Sequence, residues 1–280
     1  MLPKLIATDL DGTLLASDHV TISLRNRAAL TAAVDRGIHL VAVSGRQGYS
    51  IAAIVAGTPL ERLALCSNGS VGMDLRTGQV HREDLLEVAA QTALADAMVA
   101  QFPNLKVTSV RDGGNTYLSE HGYLGDQDPG AGSAAWPVSH RFTDRAEVLA
   151  SASVKLVMRD PEIPPPVLWE AAHALAVPGC QPTISGAPFL EVARAGVTKA
   201  SALARFAADL GIASDDVVAL GDNVNDVEML AWAGCGVAMA NATPEARAVA
   251  DEVTASNDAD GFAVLVERML TPFRSGLPAG

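Results

Sequence analysis

Five short aliphatic runs in this 280-residue chain are each followed directly by a cluster of polar residues. The runs are Leu5 to Thr8, His39 to Val43, Leu63 to Cys66, Val217 to Leu220 and Gly236 to Met239. Runs this short and this aliphatic are typical of strands buried on both faces of a sheet. Helical patterns, among them Leu24 to Arg36 and Thr198 to Leu210, separate several of the runs. This alternation predicts an α/β fold with a doubly wound, parallel sheet.

The middle of the chain follows a less regular rhythm. Helical patterns occupy Asp84 to Phe102 and Val167 to Ala176, and strand patterns occupy Lys106 to Val110 and Ser153 to Met158. The composition of Gly113 to Trp136 is typical of a loop or weak strand, and the prolines of Pro161 to Pro166 predict a break. We therefore expect an α/β domain at residues 84–187, inserted into a core formed by residues 1–83 and 188–280.

Each predicted core strand ends in side chains suited to binding a ligand. The clusters are Asp9-Leu10-Asp11, Ser44-Gly45-Arg46, Ser67-Asn68-Gly69, Gly221-Asp222-Asn223 and Ala240-Asn241. In an open α/β sheet, ligands bind beyond the carboxyl ends of the strands. The five clusters are therefore expected to converge on one site.

Asp9 and Asp11 form the cluster with the clearest chemistry. Alternation along an extended chain points the two carboxylates to the same side, and their repulsion favours a nearby cation such as Mg²⁺. Gly12 permits a sharp turn away from the site, and Thr13 can donate to a neighbouring carboxylate. An ordinary Asp-rich turn is the alternative, and the motif alone does not exclude it.

The other clusters supply companions to this pair. Asp222 offers a third oxygen ligand for a cation, and Asp226 follows one helical turn later, although a polar loop or helix cap is the alternative. Ser44 lies at a strand-to-helix turn of the kind that binds phosphate, although this motif by itself favours an N-cap serine beside a surface arginine. Lys199 opens a predicted helix, where the helix dipole disfavours a cation, so a nearby anion explains it better than helix stability does. A solvated surface lysine remains the alternative.

The charge of the chain excludes some classes of partner. Lys and Arg number 20 against 32 Asp and Glu, a net charge of −12, and no cluster of basic residues is present. Because a nucleic-acid partner requires such clusters, none is expected. No stretch of ~18 uncharged apolar residues occurs, so we also expect no transmembrane helix.

The three cysteines, Cys66, Cys180 and Cys235, form neither a disulfide framework nor a metal-binding spacing. Each is expected to be a small core residue in a reducing compartment. The N-terminal segment lacks the apolar region and cleavage site of a signal peptide. A cytoplasmic enzyme, as a monomer or a homodimer, fits these features.

The ordered set of motifs resembles the haloacid dehalogenase-like superfamily, specifically its Cof-type phosphatases with an inserted α/β (C2-type) cap. The motifs that carry the resemblance are Asp9-Leu10-Asp11-Gly12-Thr13, Ser44-Gly45-Arg46, Gly196-Val197-Thr198-Lys199 and Gly221-Asp222-Asn223-Val224-Asn225-Asp226. They cover both core segments in order, with Ala200 where the family usually has glycine after the motif lysine. The resemblance implies a Rossmann-like catalytic core and a cap that reads the substrate.

The resemblance also implies a role for each motif residue. Asp9 would attack phosphorus, while Asp11 would act as general acid and then general base, with a pKa raised by the closed acidic pocket. Mg²⁺ would be held by the Asp9 carboxylate, the Asp11 main-chain carbonyl and Asp222. The phosphoryl oxygens would be held by the Leu10 N–H, Ser44, the Gly45 N–H, Lys199 and Asn225. Supporting positions would be filled by Thr13, Arg46, Asn68 and Asp226.

The function expected on these grounds is hydrolysis of small phosphate monoesters, such as sugar phosphates or phosphorylated cofactors. A phosphomutase on the same scaffold and a non-catalytic phosphate-binding protein are the alternatives. In the inserted domain, Arg111, Tyr117, His121 and Tyr123 are polar or aromatic residues that could read the substrate, although a packing or surface role is open for each. Every histidine is expected at the surface or in the cap.

Overall fold

The computed structural model describes residues 2–124, 139–184 and 187–271. The predicted loop Gly113 to Trp136 therefore lies partly outside the described residues. Its described part contains a strand, Thr116–Glu120, in agreement with the weak-strand reading of this segment.

The first sheet is built from both ends of the chain. Its strands are β1 Leu5–Thr8, β2 His39–Val43, β3 Ala64–Cys66, β4 Val71–Asp74, β5 Gln79–Glu83, β12 Val217–Gly221, β13 Cys235–Ala238 and β14 Glu252–Val253. Their order across the sheet is β14-β13-β12-β1-β2-β3-β4-β5. From β14 to β3 all neighbours are parallel, as predicted, whereas β4 and β5 add an antiparallel hairpin.

The order of the first sheet contains a switch point between β1 and β12. The chain moves from β1 to β2 in one direction and from β12 to β13 in the other. Right-handed crossovers then place the helices that follow β1 and β12 on opposite faces, which is the doubly wound arrangement. A ligand site is expected at such a reversal, beyond the ends of β1 and β12.

The helices of this part of the chain are α1 Leu24–Asp35, α2 Gly48–Val55, α6 Lys199–Asp209, α7 Val227–Trp232, α8 Pro244–Val249 and α9 Gly261–Leu270. The predicted helices Leu24 to Arg36 and Thr198 to Leu210 correspond to α1 and α6, and each end agrees within one residue. Helix α1 packs on α9, and α6 packs on α7. The buried faces join the strands in one hydrophobic core that draws on both terminal segments, for example Leu5, Val41, Leu203 and Phe262.

The second sheet is formed by the middle of the chain. Its strands are β6 Lys106–Arg111, β7 Thr116–Glu120, β8 Ser139–Thr143, β9 Lys155–Arg159, β10 Cys180–Thr183 and β11 Leu190–Arg194, in the order β10-β11-β9-β6-β7-β8. The accompanying helices are α3 Val88–Gln101, α4 Arg145–Val148 and α5 Pro165–Leu175. Residues such as Leu94, Met98, Leu156 and Leu168 form a separate hydrophobic core here.

Two boundaries of this middle part differ from the sequence expectation. Helix α3 begins at Val88 instead of Asp84, because Leu86 pairs through its backbone with Ser153 and keeps the entry extended. Strand β11 pairs with β9, so the second sheet continues to Arg194, past residue 187. The division into 1–83 with 188–280 and 84–187 stays a prediction, and β11 favours moving its second boundary to residue 195.

Two further expectations concern cysteines and membrane spans. All three cysteines are free; Cys66 is buried, whereas Cys180 and Cys235 are only half-buried. Within the described ranges, every helix falls short of the length and apolarity required to cross a bilayer.

Candidate active site

Asp9 lies immediately beyond the end of β1 at the switch point. Its backbone N–H donates to the Leu220 carbonyl at 3.0 Å, which extends the β1–β12 pairing by one residue and fixes the position of Asp9. The side chain is 6% exposed. The chain then turns sharply at Gly12, whose φ of +76° is in the left-handed region.

Gly12 also gives Asp222 room to approach the turn. A Cβ added at Gly12 would lie 2.4 Å from Asp222 Oδ2, too close for any side chain. The neighbouring Thr13 hydroxyl donates to Asp222 Oδ1 at 2.8 Å, as the sequence predicted for a nearby carboxylate. The turn after β1 and the loop after β12 are therefore fitted to each other.

Lys199 joins two buried carboxylates. Its Nζ donates to Asp9 Oδ1 at 2.8 Å and to Asp226 Oδ1 at 2.6 Å, and its side chain is 1% exposed. Thr198 caps helix α6 and places Lys199 in the first turn, where the helix dipole disfavours a cation. Burial lowers the pKa of Lys199, but Asp226 and Asp9 outweigh it, so the net shift of this pKa is upward. The anion expected to explain this lysine is thus a pair of carboxylates.

Asp226 anchors the loop that follows β12. Its Oδ2 accepts hydrogen bonds from the backbone N–H groups of Asp222 and Asn223, both at 3.0 Å. The Asp226 side chain is fully buried. A Cβ added at Gly221 would lie 2.5 Å from the Cβ of Asp226. Asp226 therefore supports both Lys199 and the backbone that carries Asp222.

Asp9, Asp222 and Asp226 form an acidic cluster. One oxygen from each lies within 4.8 Å of the others. Burial raises the pKa of Asp9 well above its usual value despite the opposing effect of Lys199, and burial together with Asp226 raises the pKa of Asp222 to about 6. Three carboxylates against one lysine leave two negative charges when all are ionised. A divalent cation would balance that charge, and carboxylate oxygens are the ligands hard cations prefer.

The carboxylate of Asp11 points to a different set of partners. Arg46 Nε donates to Oδ2 at 2.6 Å and Arg46 Nη2 donates to Oδ1 at 2.5 Å, while His19 Nδ1 lies 3.0 Å from Oδ1. Burial acts to raise the pKa of Asp11, but the hydrogen bonds and charge of Arg46 outweigh it and lower this pKa. The expectation of a raised pKa for Asp11 was wrong for this geometry, because the sequence did not reveal the contact with Arg46.

Three of the residues predicted to hold phosphate, Ser44, Gly45 and Asn225, follow β2 and β12. Ser44 is buried, and its Oγ accepts from the Arg46 N–H at 3.2 Å. Asn225 Nδ2 donates to Asn68 Oδ1 at 3.0 Å, which joins two of the predicted clusters. Lys199 lies behind Asp9, and Leu10 is fully buried, so neither lines the cavity beside these residues. Their phosphate-binding roles stay predictions.

A cavity of about 510 Å³ opens above Asp9, between the two sheets. Its wall from the first sheet includes Asp9, Asp11, Ser44, Gly45, Arg46, Tyr49, Asp222 and Asn225, and its wall from the second includes Tyr117, Lys155, Phe189 and Glu191. Lys155 forms a buried ion pair with Glu191, and its Nζ also donates to the Gly45 carbonyl at 3.1 Å. Both sheets therefore contribute to one chamber.

The structure separates the four candidate cap residues. Tyr117 lines the cavity, with its hydroxyl 3.4 Å from that of Tyr49. Arg111 instead donates to the carbonyls of Glu147 and Val148. Tyr123 belongs to a small apolar cluster, and His121 is exposed.

Sequence reasoning missed several cavity residues, including the ionisable residues His19, Lys155 and Glu191 and the aromatic residues Tyr49 and Phe189. His19 is mostly exposed, as expected of every histidine, yet it contacts Asp11. A signal for Lys155 was available, because it lies inside the predicted strand Ser153 to Met158, whose other residues are mostly apolar. Asn241, named above only as part of the fifth polar cluster, donates to the Gly12 carbonyl at 2.7 Å and so helps to fix the turn after β1.

Comparison with known proteins agrees with this geometry. A family model described as haloacid dehalogenase-like hydrolase matches residues 6–266. A 5-amino-6-(5-phospho-D-ribitylamino)uracil phosphatase of Bacillus subtilis is 29% identical over 262 residues, 93% of each chain. A pyridoxal phosphate phosphatase of Escherichia coli is 27% identical over 283 residues, 95% of this chain and 98% of that protein.

A solved structure extends the likeness to the whole architecture. A haloacid dehalogenase-like hydrolase from Bacteroides thetaiotaomicron is 27% identical, with a TM-score of 0.75 and coverage of 95% of this chain and 99% of that one. The match therefore includes the Rossmann-like core and the inserted cap. The resemblance drawn from the motifs is confirmed, and the chain belongs to the haloacid dehalogenase-like hydrolases, as a phosphatase of the Cof type.

Proposed function

We propose that this phosphatase hydrolyses small phosphate monoesters with Mg²⁺, through an aspartyl-phosphate formed on Asp9. The observation that carries the proposal is the placement of Asp9, which lies at the floor of the cavity with one oxygen on Lys199 and Asp222 beside it. The names of the two curated relatives describe action on small phosphorylated compounds, which supports this substrate class.

The acidic cluster suits the proposed cation. Mg²⁺ would be held by the Asp9 carboxylate, Asp222 and the main-chain carbonyl of Asp11, with Asp226 ordering its surroundings. When bound, Mg²⁺ offsets the negative charge of the phosphoryl group and of the attacking carboxylate. The excess of negative charge in the buried cluster supports this assignment.

The chemistry divides into two displacements at phosphorus. In the first, the Asp9 oxygen that is free of Lys199 bonds to phosphorus, the bond to the leaving oxygen breaks, and Asp11 supplies that oxygen with a proton. In the second, water bonds to phosphorus while Asp11 accepts its proton, and the bond to Asp9 breaks. Inorganic phosphate and the original Asp9 carboxylate result.

The phosphoryl oxygens need donors aligned before the reaction begins. Ser44, the Gly45 N–H and Asn225 lie on the cavity wall and suit this role. Lys199 and the Leu10 N–H are proposed to assist from below Asp9, with Thr13, Arg46 and Asn68 in support. Because both oxygens of Asp11 accept from Arg46, proton transfer also requires the Asp11 side chain to turn from Arg46 toward the leaving oxygen.

We also propose that the protein acts in the cytoplasm. Its three free cysteines support a reducing compartment, because disulfides form where the surroundings are oxidising. The acidic chain is proposed to take a small phosphorylated metabolite as its partner, and to function as a monomer or a homodimer.

Replacement of the nucleophile tests the proposal. Asp9→Asn should abolish phosphate release with Mg²⁺ present, measured over sugar phosphates, nucleotides, pyridoxal phosphate and flavin mononucleotide. Asp35→Asn, at an exposed position at the end of α1, is the matched control and should keep full activity. Full activity of Asp9→Asn would refute the mechanism.

Product analysis separates the two alternatives. Release of inorganic phosphate supports a hydrolase, whereas an isomeric sugar phosphate would identify a phosphomutase with the same intermediate. Binding of phosphates without turnover of any ester in the panel would identify a non-catalytic binding protein.

A further inference from the structure

Lys155 connects the second sheet to the turn after β2. Its side chain is 8% exposed, and its charge is balanced within its own sheet by Glu191, which is 3% exposed and lies on the neighbouring strand β11. The same ammonium donates to the carbonyl of Gly45 at 3.1 Å. The ion pair therefore presents a donor to the backbone of the first sheet.

The Gly45 carbonyl belongs to a peptide unit with a second contact. The Gly45 C=O and the Arg46 N–H share one rigid plane, so a bond to one end orients the other. The Arg46 N–H donates to Ser44 Oγ at 3.2 Å. Lys155 thus orients the peptide unit that donates to the Ser44 hydroxyl, the group proposed to bind a phosphoryl oxygen.

One further contact joins the segment after the turn to the second sheet. Gly114 approaches Gln47 so closely that a Cβ there would lie 2.2 Å from Gln47 Oε1. Within the first sheet, the Ser67 N–H donates to the Arg46 carbonyl and the Asn68 N–H donates to the Ser44 carbonyl, both at 2.9 Å. The turn after β2 is therefore held by its own sheet, and the second sheet adds the bond from Lys155 to the Gly45 carbonyl.

We propose that Lys155 is a positioning residue that couples the seating of the cap to the orientation of the Ser44–Arg46 turn. This inference rests on the proposed function, because it assumes that the turn holds phosphoryl oxygens. Donors aimed at a transferring group are effective when they are fixed beforehand. Since Lys155 acts through the turn, its removal should weaken the hold on phosphate equally for every leaving group.

The test compares Glu191→Gln with the double variant Lys155→Met/Glu191→Gln. Lys155→Met alone would remove the cation of a buried ion pair and could unfold the cap, whereas the chosen pair of variants differs only at Lys155. Inorganic phosphate, which has no leaving group, is titrated calorimetrically with Mg²⁺ present. Steady-state constants are measured for p-nitrophenyl phosphate and for one larger ester that the wild type hydrolyses.

Relative to Glu191→Gln, the double variant should bind inorganic phosphate about tenfold more weakly, as expected for one lost hydrogen bond to a charged donor. Its kcat/KM should fall by a similar factor for both esters. Lys106→Met is the matched control: Lys106 lies at the opposite end of β6 from the residue paired with Lys155, away from the cavity. This control should match the wild type in both measurements.

Two outcomes would overturn the inference. Equal phosphate affinity in the two compared variants would show that the turn does not depend on Lys155. A loss confined to one ester, with phosphate affinity intact, would show that Lys155 contacts the leaving group instead. If the wild type hydrolysed no ester, the proposed function would fail, yet the phosphate titration would still decide the role of Lys155.

Discussion

Arg46 holds both carboxylate oxygens of Asp11, with its Nε 2.6 Å from Oδ2 and its Nη2 2.5 Å from Oδ1. This contact lowers the pKa of Asp11 although burial acts in the opposite direction. An ionised Asp11 can accept a proton from water but cannot give one to a leaving oxygen. The contact with Arg46 therefore favours the second displacement of the proposed reaction over the first.

Arg46→Met should raise the pKa of Asp11, because the opposing positive charge is lost and burial remains. A general acid must be protonated, so the basic limb of the kcat/KM profile should move to higher pH. The profile is measured from pH 5 to 9 with Mg²⁺ at saturation. Arg46→Lys, which keeps the charge without the two-bond geometry, should give an intermediate shift. A basic limb that stays in place would contradict this role of Arg46.

Gly12→Ala should weaken Mg²⁺ binding in addition to destabilising the fold. Alanine at the φ of +76° costs about 1–2 kcal/mol of folding free energy, and its Cβ would displace Asp222 Oδ2. The Mg²⁺ concentration for half-maximal activity should rise by about tenfold or more.

Gly37→Ala is the control for Gly12→Ala. Gly37 has a φ of +77°, and nothing lies within 4 Å of its added Cβ. It should therefore lose similar stability in urea denaturation while keeping the wild-type Mg²⁺ requirement. An equal Mg²⁺ requirement in both variants would show that the approach of Gly12 to Asp222 is unimportant.

Lys199→Met should destabilise the protein by about 3–5 kcal/mol, because Asp9 and Asp226 would remain buried without their counter-ion. Urea denaturation at pH 7 without divalent ions gives the free energy of unfolding. Lys4→Met is the control, since the Lys4–Asp216 pair is largely exposed and should contribute at most about 1 kcal/mol. Equal losses in the two variants would mean that Lys199 does not stabilise the cluster.

Asp222 should make the metal-free protein less stable as the pH rises. Burial raises the pKa of Asp222 from its ordinary value of 3.8 to about 6, so the folded state holds a proton that the unfolded chain releases. The stabilisation that this proton gives the folded state is fully present below about pH 4 and is lost as the pH rises through 6. The difference amounts to roughly 2–3 kcal/mol.

Denaturation with a chelator present, at intervals from pH 4 to 7.5, measures this loss. Asp222→Asn has no such proton and should show a smaller decline across the same range. Added Mg²⁺ should restore the stability of the wild type most strongly above pH 6, where Asp222 is ionised. Parallel pH profiles for the wild type and Asp222→Asn would contradict the assignment.

The sequence predicted the parts of this protein that depend on local pattern. Strands β1, β2 and β12 were visible because each is a short aliphatic run, and the ends of those strands located Asp9, Ser44 and Asp222. The antiparallel hairpin of β4 and β5 was missed, because β5 is exposed along its whole length and shows no buried face.

Contacts between distant segments were beyond the reach of sequence pattern. The partner of Asp11 depends on how the turns after β1 and β2 pack, and nothing local indicates Arg46. Likewise, the contact of Lys155 with Gly45 joins residues 110 positions apart, in different sheets. The ordered motifs identified the family, whereas the charge balance of Asp11 required the three-dimensional arrangement.

The pairing of β1 with β12 has a consequence for how the protein is made. Thr13 and Asp222 touch although 209 positions separate them, so the site has very high contact order. A growing chain exposes Asp9 long before its partners, because Lys199 follows 190 positions later and Asp222 and Asp226 follow later still. A chain that ends before Lys199 carries the proposed nucleophile without the groups proposed to activate it, so we expect phosphatase activity only once β12 has paired with β1.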